Sequence, residues 1–244
     1  MTQAPQGGKR IAFFGGSFDP PHIGHVAVAS AAQQALRLDR ILFAPVGLQP
    51  LKPTGPSANF EDRVAMTRLA IANQPTFEIS LLDAPDTAKS TPSYTPNYTS
   101  DTLTKLRESL SPNAQLFLLL GADSFFTLCH WHRAAEIPFL ANLIVASRPN
   151  ASSAENSNPE MRELDNPSRY LPDNISTQPI PNLPNRYNLI NLAGQKSQLT
   201  ILPNLNYDIS ATQLRNQIQG RPGNEPALLD PAVLQYIQQH RLYQ

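Results

Sequence analysis

The 244-residue chain is long enough for one α/β domain with a full hydrophobic core. Its 19 basic and 19 acidic residues cancel, so no overall field attracts nucleic acid and any phosphate binding has to be local. The single cysteine, Cys129, excludes an internal disulfide, and the polar residues 1–9 lack the apolar segment of a signal peptide. We therefore expect a cytoplasmic protein that neither binds nucleic acid nor enters a membrane.

A glycine-bearing turn follows the first predicted strand. Residues 11–14 form a short apolar run typical of a buried strand, and the residues after the turn favour a helix. Unpaired N–H groups and the helix dipole make such a helix N-terminus attractive to an anion. Gly15 and Gly16 allow the backbone to approach a ligand closely because they have no β-carbon. His22 and His25 are three residues apart, so we expect both imidazoles to face the same anion.

Two common phosphate-binding motifs do not fit this turn, because it lacks the glycine spacing of a dinucleotide fingerprint and the Gly-Lys-Ser/Thr ending of a P-loop. A zinc site formed by His22, His25 and Asp19 is an alternative, although zinc usually takes a fuller set of ligands at short spacing. The sequence GSFDPPHIGH resembles the motif G-[ST]-F-D-P-x-H-x-G-H of the nucleotidyltransferase superfamily, which contains adenylyl and cytidylyl transferases. The resemblance implies that ATP is bound by Gly15, Gly16, Ser17, Phe18, His22 and His25.

Strands and helices alternate along most of the chain. Apolar runs predict strands over residues 40–45, 77–81, 115–121 and 141–146, and helical periodicity predicts helices over 60–73, 99–110, 133–139, 210–219 and 231–240. Asp230 followed by proline is a typical N-cap for the last of these helices. Alternation of this kind predicts a parallel sheet whose ligand binds at the carboxyl ends of the strands. We therefore expect a single α/β domain over residues 1–244, with a Rossmann-like, doubly wound parallel sheet.

Residues 149–198 differ in composition from the rest of the chain, with seven prolines and nine asparagines. A helix cannot run through such a stretch, so we expect a long loop or an insertion within the domain. Within it, residues 188–192 are predicted to pair with residues 199–202 as a hairpin around Gly194. This composition does not favour a hydrophobic core within the segment. Deletion of residues 152–181 is therefore expected to leave adenylyl transfer within ~10-fold of the intact protein.

A second anion-binding arrangement is predicted near the C-terminal helices. Ser210 suits the N-cap of a helix, and Thr212 and Arg215 add a second hydroxyl and a guanidinium to its first turns. An ordinary capped helix with a solvated arginine is the alternative. Residues 209–215 resemble the I-S-x-T-x-x-R motif that closes the nucleotidyltransferase domain and holds the β- and γ-phosphates of the triphosphate.

Further stretches are similar to motifs of bacterial nicotinate-nucleotide adenylyltransferases. The sequence NYTSDTL resembles S-Y-T-x-D-T-L with Asn97 in place of the serine, GADSF matches G-x-D-S-F, and the pair WH matches W-[YH]. The resemblance implies a nicotinate mononucleotide site in which Trp131 stacks on the pyridine ring. Backbone N–H groups of Thr99 and His132 would hold the nicotinate carboxylate, and Asp123 would contact the nucleotide.

The same resemblance implies the reaction. The 5′-phosphate of nicotinate mononucleotide would attack the α-phosphorus of ATP, giving deamido-NAD and pyrophosphate. His22 and His25 would donate to the α-phosphate, and Lys52 and Arg215 would neutralise the leaving pyrophosphate. Lys52 lies in the sequence QPLKP, which takes the place of the family's P-P-H-K loop, with Leu51 where histidine is common. Mg²⁺ would arrive with ATP, bound by phosphates and water, so we expect no dedicated protein metal site.

Other assignments remain compatible with the sequence. The same fold serves nicotinamide mononucleotide or another phosphate acceptor in related enzymes, and a nucleotide-binding module without turnover is a further alternative. The NYTSDTL and WH motifs favour nicotinate, and the four catalytic candidates together favour an enzyme. Homo-oligomer formation stays open because the sequence does not determine it.

Overall fold

The computed structural model describes residues 8–47, 55–85, 96–147, 164–202, 210–220 and 228–244. The strands are β1 (Arg10–Gly16), β2 (Arg40–Pro45), β3 (Phe77–Ile79), β4 (Gln115–Gly121), β5 (Asn142–Ala146), β6 (Ile175–Pro179), β7 (Arg186–Asn191) and β8 (Lys196–Leu202). The helices are α1 (Ile23–Leu36), α2 (Phe60–Ile71), α3 (Thr99–Ser109), α4 (Ala122–Phe125), α5 (Ile137–Leu140), α6 (Ala211–Gly220) and α7 (Pro231–Gln239). Short 3₁₀ turns lie at Leu128–His130 and Pro167–Tyr170.

All these strands form one sheet in the order β3-β2-β1-β4-β5-β8-β7-β6. The strands from β3 to β8 in this order pair in parallel, whereas β7 and β6 are antiparallel. Chain order reverses between β1 and β4, because β2 and β3 extend the sheet one way while β4 and β5 extend it the other. Such a reversal leaves a crevice at the carboxyl ends of the two central strands, where α/β folds bind ligands. The predicted doubly wound parallel sheet is confirmed, with an antiparallel extension at one edge.

Helices cover both faces of the sheet, so its central strands are buried on both sides. Alternate residues of β1 divide between the two faces. Ile11 and Phe13 pack in a core with Leu103 of α3, while Ala12 packs in a second core with Ala29 of α1. The near-continuous apolar runs of β1 and β4 follow from this two-sided burial. Among the described residues, no helix is long and apolar enough to cross a membrane.

A third apolar cluster fixes the C-terminal helices beside the start of α1. Met66 of α2, Leu214 of α6 and Val233 of α7 are buried together, and Ile23 packs against them. Asp230 caps α7 by accepting the N–H of the second helical residue at 2.8 Å, as the sequence predicts. Because of this cluster, α6 lies next to the turn that opens α1.

The described part of the segment 149–198 contributes three strands to the sheet, so a long loop, one of the two alternatives predicted for it, is wrong for these residues. It contains β6, β7 and the start of β8, and the hairpin predicted around Gly194 is confirmed by pairing of β7 with β8. Leu171, Ile175 and Leu189 are buried in the core that also contains α3. Pro179 is compatible with this arrangement because it lies in β6, an edge strand, where a missing N–H donor costs little. The expectation that residues 152–181 are dispensable therefore loses its physical basis.

The helix predicted over residues 133–139 is shorter in the structure. Only Ile137–Leu140 is helical, because Arg133 has a φ of 53°, which a right-handed helix cannot contain. α4 and the turn Leu128–His130 were not predicted, since segments this short carry no periodicity.

Candidate active site

The turn between β1 and α1 lies at the carboxyl end of β1, beside the point where chain order reverses. A β-carbon on Gly15 would lie 3.2 Å from the Phe13 ring, and one on Gly16 would lie 3.1 Å from the Phe18 ring. Both distances are tighter than ordinary van der Waals contact. Glycine at these positions therefore serves the packing of the turn as well as the predicted close approach of a phosphate.

Phe18 supports this turn from inside the core, where 1 % of its surface is exposed. Its ring packs edge-on against His25, with 5.0 Å between centroids, and edge-on against Phe14 at 5.5 Å. Its φ of 48° lies in the left-handed region, which is costly for a bulky residue. The motif predicts an ATP contact for Phe18, but burial of the ring leaves only its backbone for such a contact.

His22 and His25 lie together at the start of α1, with 3.8 Å between their ring centroids and 34° between their planes. The backbone N–H of His22 donates to Nδ1 of His25 at 3.2 Å. Because Nδ1 accepts a hydrogen bond, the neutral His25 ring carries its proton on Nε2. Burial, followed by the charge of His22, lowers the pKa of His25 well below its ordinary value. His25 is therefore a neutral, oriented N–H donor at neutral pH.

Asp19 has a structural role in the turn. Its side chain is 4 % exposed and accepts the backbone N–H groups of Ser57 at 2.6 Å and Ala58 at 3.1 Å. The Tyr243 hydroxyl adds a third hydrogen bond at 2.7 Å. These partners occupy the carboxylate, so Asp19 does not fit the zinc alternative. Within the described ranges, no group of three or more His, Cys, Asp or Glu residues is arranged to hold a metal ion.

The second predicted anion site lies against the first. Arg215 donates through Nη1 to the backbone carbonyl of Asp19 at 2.7 Å, across 196 positions of the chain. Its Nη2 donates to Oγ1 of Thr212 at 3.1 Å. Ser210 directly precedes α6, in the predicted cap position, and its carbonyl accepts the N–H of Leu214. The structure thus brings the two motifs together, while Lys52 lies outside the described residues.

Arg63 is a residue of this site that the sequence analysis missed. It is 1 % exposed and donates to three backbone carbonyls: that of Ser17 at 2.7 Å, of Val46 at 2.8 Å and of Ala58 at 3.2 Å. Burial lowers the pKa of its guanidinium. Arg63 therefore joins α2 to the turn after β1 and to the end of β2. The one signal in the sequence is its position three residues before the buried Met66, on the inward face of α2.

The residues predicted to bind nicotinate mononucleotide, the adenylyl acceptor, lie on the other side of the crevice. This acceptor side contains the start of α3 and residues 131–133. Thr99 is the first residue of α3, and the ring of the preceding Tyr98 packs against that of His132, with 4.3 Å between centroids and 33° between planes. Arg133 adds an ion pair to Asp101 in the first turn of α3 at 3.0 Å. These two contacts bring the start of α3 beside His132. The prediction that Thr99 and His132 bind the same nicotinate carboxylate requires this proximity.

Trp131 follows the turn Leu128–His130 and is half-buried against the core under α3. Its Nε1 donates to Oγ1 of Thr127 at 3.1 Å, which fixes the ring plane. Asp123 lies in α4, directly after the carboxyl end of β4, and its side chain is exposed. Both residues therefore lie near the same edge of the sheet as the turn after β1.

Asp83 is a second residue that the sequence analysis missed, because it lies in a loop with no motif. It is 5 % exposed, and its Oδ1 accepts the hydroxyl of Thr102 in α3 at 2.5 Å. Its Oδ2 would lie 3.9 Å from a β-carbon on Gly15. Burial raises the pKa of this carboxyl. Asp83 thus bonds to α3, and its carboxylate lies close to Gly15 near the end of β1.

Comparisons with known proteins show the family of this chain. The cytidylyltransferase-like family matches residues 13–217, which include both motifs. A probable nicotinate-nucleotide adenylyltransferase of Trichlorobacter lovleyi is 34 % identical over 235 residues, covering 96 % of this chain and 99 % of the relative. A second, from Roseiflexus sp. (strain RS-1), is 36 % identical over 244 residues and covers 100 % of both chains.

Solved structures support the fold. The nicotinic acid mononucleotide adenylyltransferase of Plasmodium falciparum, complexed with NaAD, superposes with a TM-score of 0.65 at 18 % identity, covering 96 % of this chain and 97 % of that chain. The same enzyme complexed with APC gives a TM-score of 0.63. From the family match and the two full-length relatives together, the chain belongs to the cytidylyltransferase-like family and, within it, to the nicotinate-nucleotide adenylyltransferases.

Proposed function

We propose that this protein transfers the adenylyl group of ATP to nicotinate mononucleotide, giving deamido-NAD and pyrophosphate. The observation that carries the proposal is the bond from Arg215 to Asp19, which unites the two phosphate motifs beside His22 and His25. The relatives named for this activity, 34 % and 36 % identical over nearly the whole chain, favour nicotinate mononucleotide as the acceptor.

The reaction needs alignment and charge stabilisation more than proton transfer. An oxygen of the acceptor's 5′-phosphate forms a bond to the α-phosphorus of ATP, and the bond from that phosphorus to the oxygen bridging to the β-phosphate breaks. The attacking phosphate is already an anion, so the protein has no proton to remove. A neutral His25 suits this chemistry, because its Nε2–H can donate to an α-phosphate oxygen as charge develops there.

ATP, the adenylyl donor, would bind at the turn after β1 and the start of α6, which we call the donor side of the site. The leaving pyrophosphate would be held there by cationic and hydroxyl groups. Arg215 and Lys52 supply positive charge, and Ser210 and Thr212 supply hydroxyls at the start of α6. Gly15, Gly16 and the backbone of Ser17 would face the triphosphate. Mg²⁺ would bridge phosphate oxygens and enter with ATP, since magnesium in such sites is bound largely by substrate phosphates and water.

The acceptor would bind between α3 and Trp131. The indole offers a stacking surface for the pyridine ring, and the backbone N–H groups of Thr99 and His132 would donate to its carboxylate. Asp123 lies at the end of β4, where it would contact the nucleotide. The contact between the rings of Tyr98 and His132 supports this assignment because it holds the two backbone donors on neighbouring segments.

The test is an acceptor panel with MgATP, measured as pyrophosphate release. A carboxamide would turn an N–H towards a backbone donor in a desolvated pocket, which costs ~1–3 kcal/mol. We therefore expect kcat/KM to favour nicotinate over nicotinamide mononucleotide by ~10–200-fold. Trp131→Ala should weaken both acceptors, whereas Thr99→Val should change the preference only modestly because its donor is the backbone. Equal values for the two acceptors would refute nicotinate specificity, and absence of pyrophosphate with every acceptor would favour a nucleotide-binding module.

A further inference from the structure

Tyr243 lies far from the family motifs in sequence but bonds directly to one of them. Its hydroxyl donates to Oδ1 of Asp19 at 2.7 Å, across 224 positions of the chain. Its φ of 62° lies in the left-handed region, which tyrosine rarely adopts. The side chain thus reaches Asp19 from a strained backbone conformation. Burial, and then the bond to Asp19, raise the pKa of Tyr243, which keeps the phenol protonated as a donor.

The Asp19 carboxylate is therefore held on both oxygens by groups other than Arg215. Ala58 and Tyr243 donate to Oδ1, and Ser57 donates to Oδ2. Nη1 of Arg215 lies 3.6 Å from Oδ2, too far for a hydrogen bond, and donates instead to the Asp19 backbone carbonyl. The carboxylate thus attracts the guanidinium by charge but accepts no hydrogen bond from it. The Arg215 side chain keeps 23 % of its surface exposed, so further N–H groups are accessible to an anion.

We propose that Tyr243 is a positioning residue for the triphosphate, acting through Asp19 on Arg215. By holding Oδ1, the phenol prevents the buried carboxylate from rotating towards the guanidinium and closing a full ion pair with it. Arg215 then remains oriented by Asp19 yet available to the β- and γ-phosphates. The inference rests on the proposed function only in its assignment of Arg215 to the triphosphate.

The chain offers a matched control for this bond. The Tyr236 hydroxyl donates to Oδ1 of Asp62 at 2.8 Å, and burial raises the pKa of that phenol as well. Asp62 lies in the first turn of α2 and is not one of the residues placed in the site. Tyr236→Phe therefore removes a tyrosine–aspartate hydrogen bond of similar length and the same chemistry, from the same C-terminal part of the chain, and leaves the bonds of Asp19 in place.

The experiment measures the affinity of the full chain for the non-hydrolysable α,β-methylene analogue of ATP with Mg²⁺. Four single or double variants are compared with wild type: Tyr243→Phe, Tyr236→Phe, Arg215→Ala and the pair Tyr243→Phe with Arg215→Ala. Tyr243→Phe should weaken binding by ~3–10-fold, whereas Tyr236→Phe should leave it unchanged. In the Arg215→Ala background, Tyr243→Phe should add less than ~2-fold, because its effect passes through the guanidinium. KM for nicotinate mononucleotide should stay at the wild-type value in Tyr243→Phe.

Three outcomes overturn the inference: wild-type affinity in Tyr243→Phe, an equal loss in Tyr236→Phe, or an undiminished effect of Tyr243→Phe in the Arg215→Ala background. Binding is measured below the unfolding transition of every variant, so that instability does not imitate a loss of affinity. Failure of the proposed function has a different signature. Wild type would then bind the analogue but release no pyrophosphate with nicotinate mononucleotide, and the Tyr243 comparison would still be decided by binding alone.

Discussion

The two sides of the candidate site are built from different kinds of contact. On the donor side, Asp19 and Arg63 are 4 % and 1 % exposed, and their hydrogen bonds are closed off from water. On the acceptor side, the ion pair between Arg133 and Asp101 joins side chains that are 39 % and 46 % exposed. Buried polar bonds are costly to break because the partner is left unsatisfied, whereas water replaces exposed ones easily. The contacts of Asp19 and Arg63 are therefore the rigid part of the site. On the acceptor side, the bond from Thr102 to Asp83 is buried as well, so only the contact between Arg133 and Asp101 is adjustable.

The largest effect is expected from the donor-side histidine. His25→Ala removes the oriented Nε2–H donor and should lower kcat by ~10²–10⁴-fold while the fold is retained. Steady-state kinetics and circular dichroism check the two halves of this prediction. His240→Ala serves as the control because its ring stacks on Tyr236, away from the turn. A near-wild-type kcat in His25→Ala would remove His25 from the chemistry.

Substitution of Arg63 tests whether its buried hydrogen bonds stabilise the donor side. Arg63→Met removes the donor from three backbone carbonyls, two of them in buried bonds, and we expect it to lower the free energy of unfolding by ~3–5 kcal/mol. Arg68→Met, on the exposed face of the same helix, should change it by less than ~0.5 kcal/mol. Urea unfolding of both variants measures the difference. Equal effects would mean that the bonds to the turn do not stabilise it.

Leu171 tests whether the antiparallel extension supports the acceptor side. It is 3 % exposed and packs in the core against which Trp131 lies. Leu171→Ala should cost ~2–4 kcal/mol in the free energy of unfolding, because it opens a cavity. Leu192→Ala, at a side chain that is 90 % exposed, should cost less than ~0.5 kcal/mol. If Leu171→Ala is as stable as Leu192→Ala, the segment is dispensable after all.

A pH dependence of stability should separate the donor-side histidine from an ordinary one. The pKa of His25 lies well below 6.5 in the folded chain, whereas in the unfolded chain it has the ordinary value of 6.5. At a pH between the folded and unfolded pKa, the unfolded chain therefore binds more protons than the folded chain. The stability from neutral His25 is therefore complete above pH 6.5 and is lost as the pH falls. Free energies of unfolding at about pH 7.5 and about pH 5.5 should differ more in wild type than in His25→Ala. An identical difference in both proteins would mean that His25 titrates normally.

The smallest effect is expected on the acceptor side. Arg133→Ala removes the exposed ion pair to Asp101 and should raise KM for nicotinate mononucleotide by ~2–5-fold, with KM for ATP unchanged. Arg40→Ala is a matched control, because its pair with Glu78 has similar exposure, 38 % and 43 %, and joins β2 to β3. A change in KM for ATP that equals the change for the acceptor would show that the two sides are not separable.

The sequence by itself determined the local elements and the chemistry of the turn. The bounds of β2 and β4 and the Asp230 cap follow from neighbouring residues, because apolar periodicity and caps are short-range properties. The motifs likewise located His22 and His25 at a helix start. Composition was a poor guide to residues 164–198. Pro179 is tolerated in the edge strand β6, and asparagines that disfavour a helix do not prevent β7 from pairing with both of its neighbours.

Only the tertiary structure shows the direct bonds between distant residues of the site. Arg215 and Tyr243 reach Asp19 across 196 and 224 positions, and no local pattern encodes contacts of that separation. The burial of Arg63 and Asp83 also follows from the packing of α2 and α3 onto the sheet, because a charged residue is ordinarily expected at the surface. The sequence thus supplies the reactive groups, and the fold supplies the buried network that holds them in place.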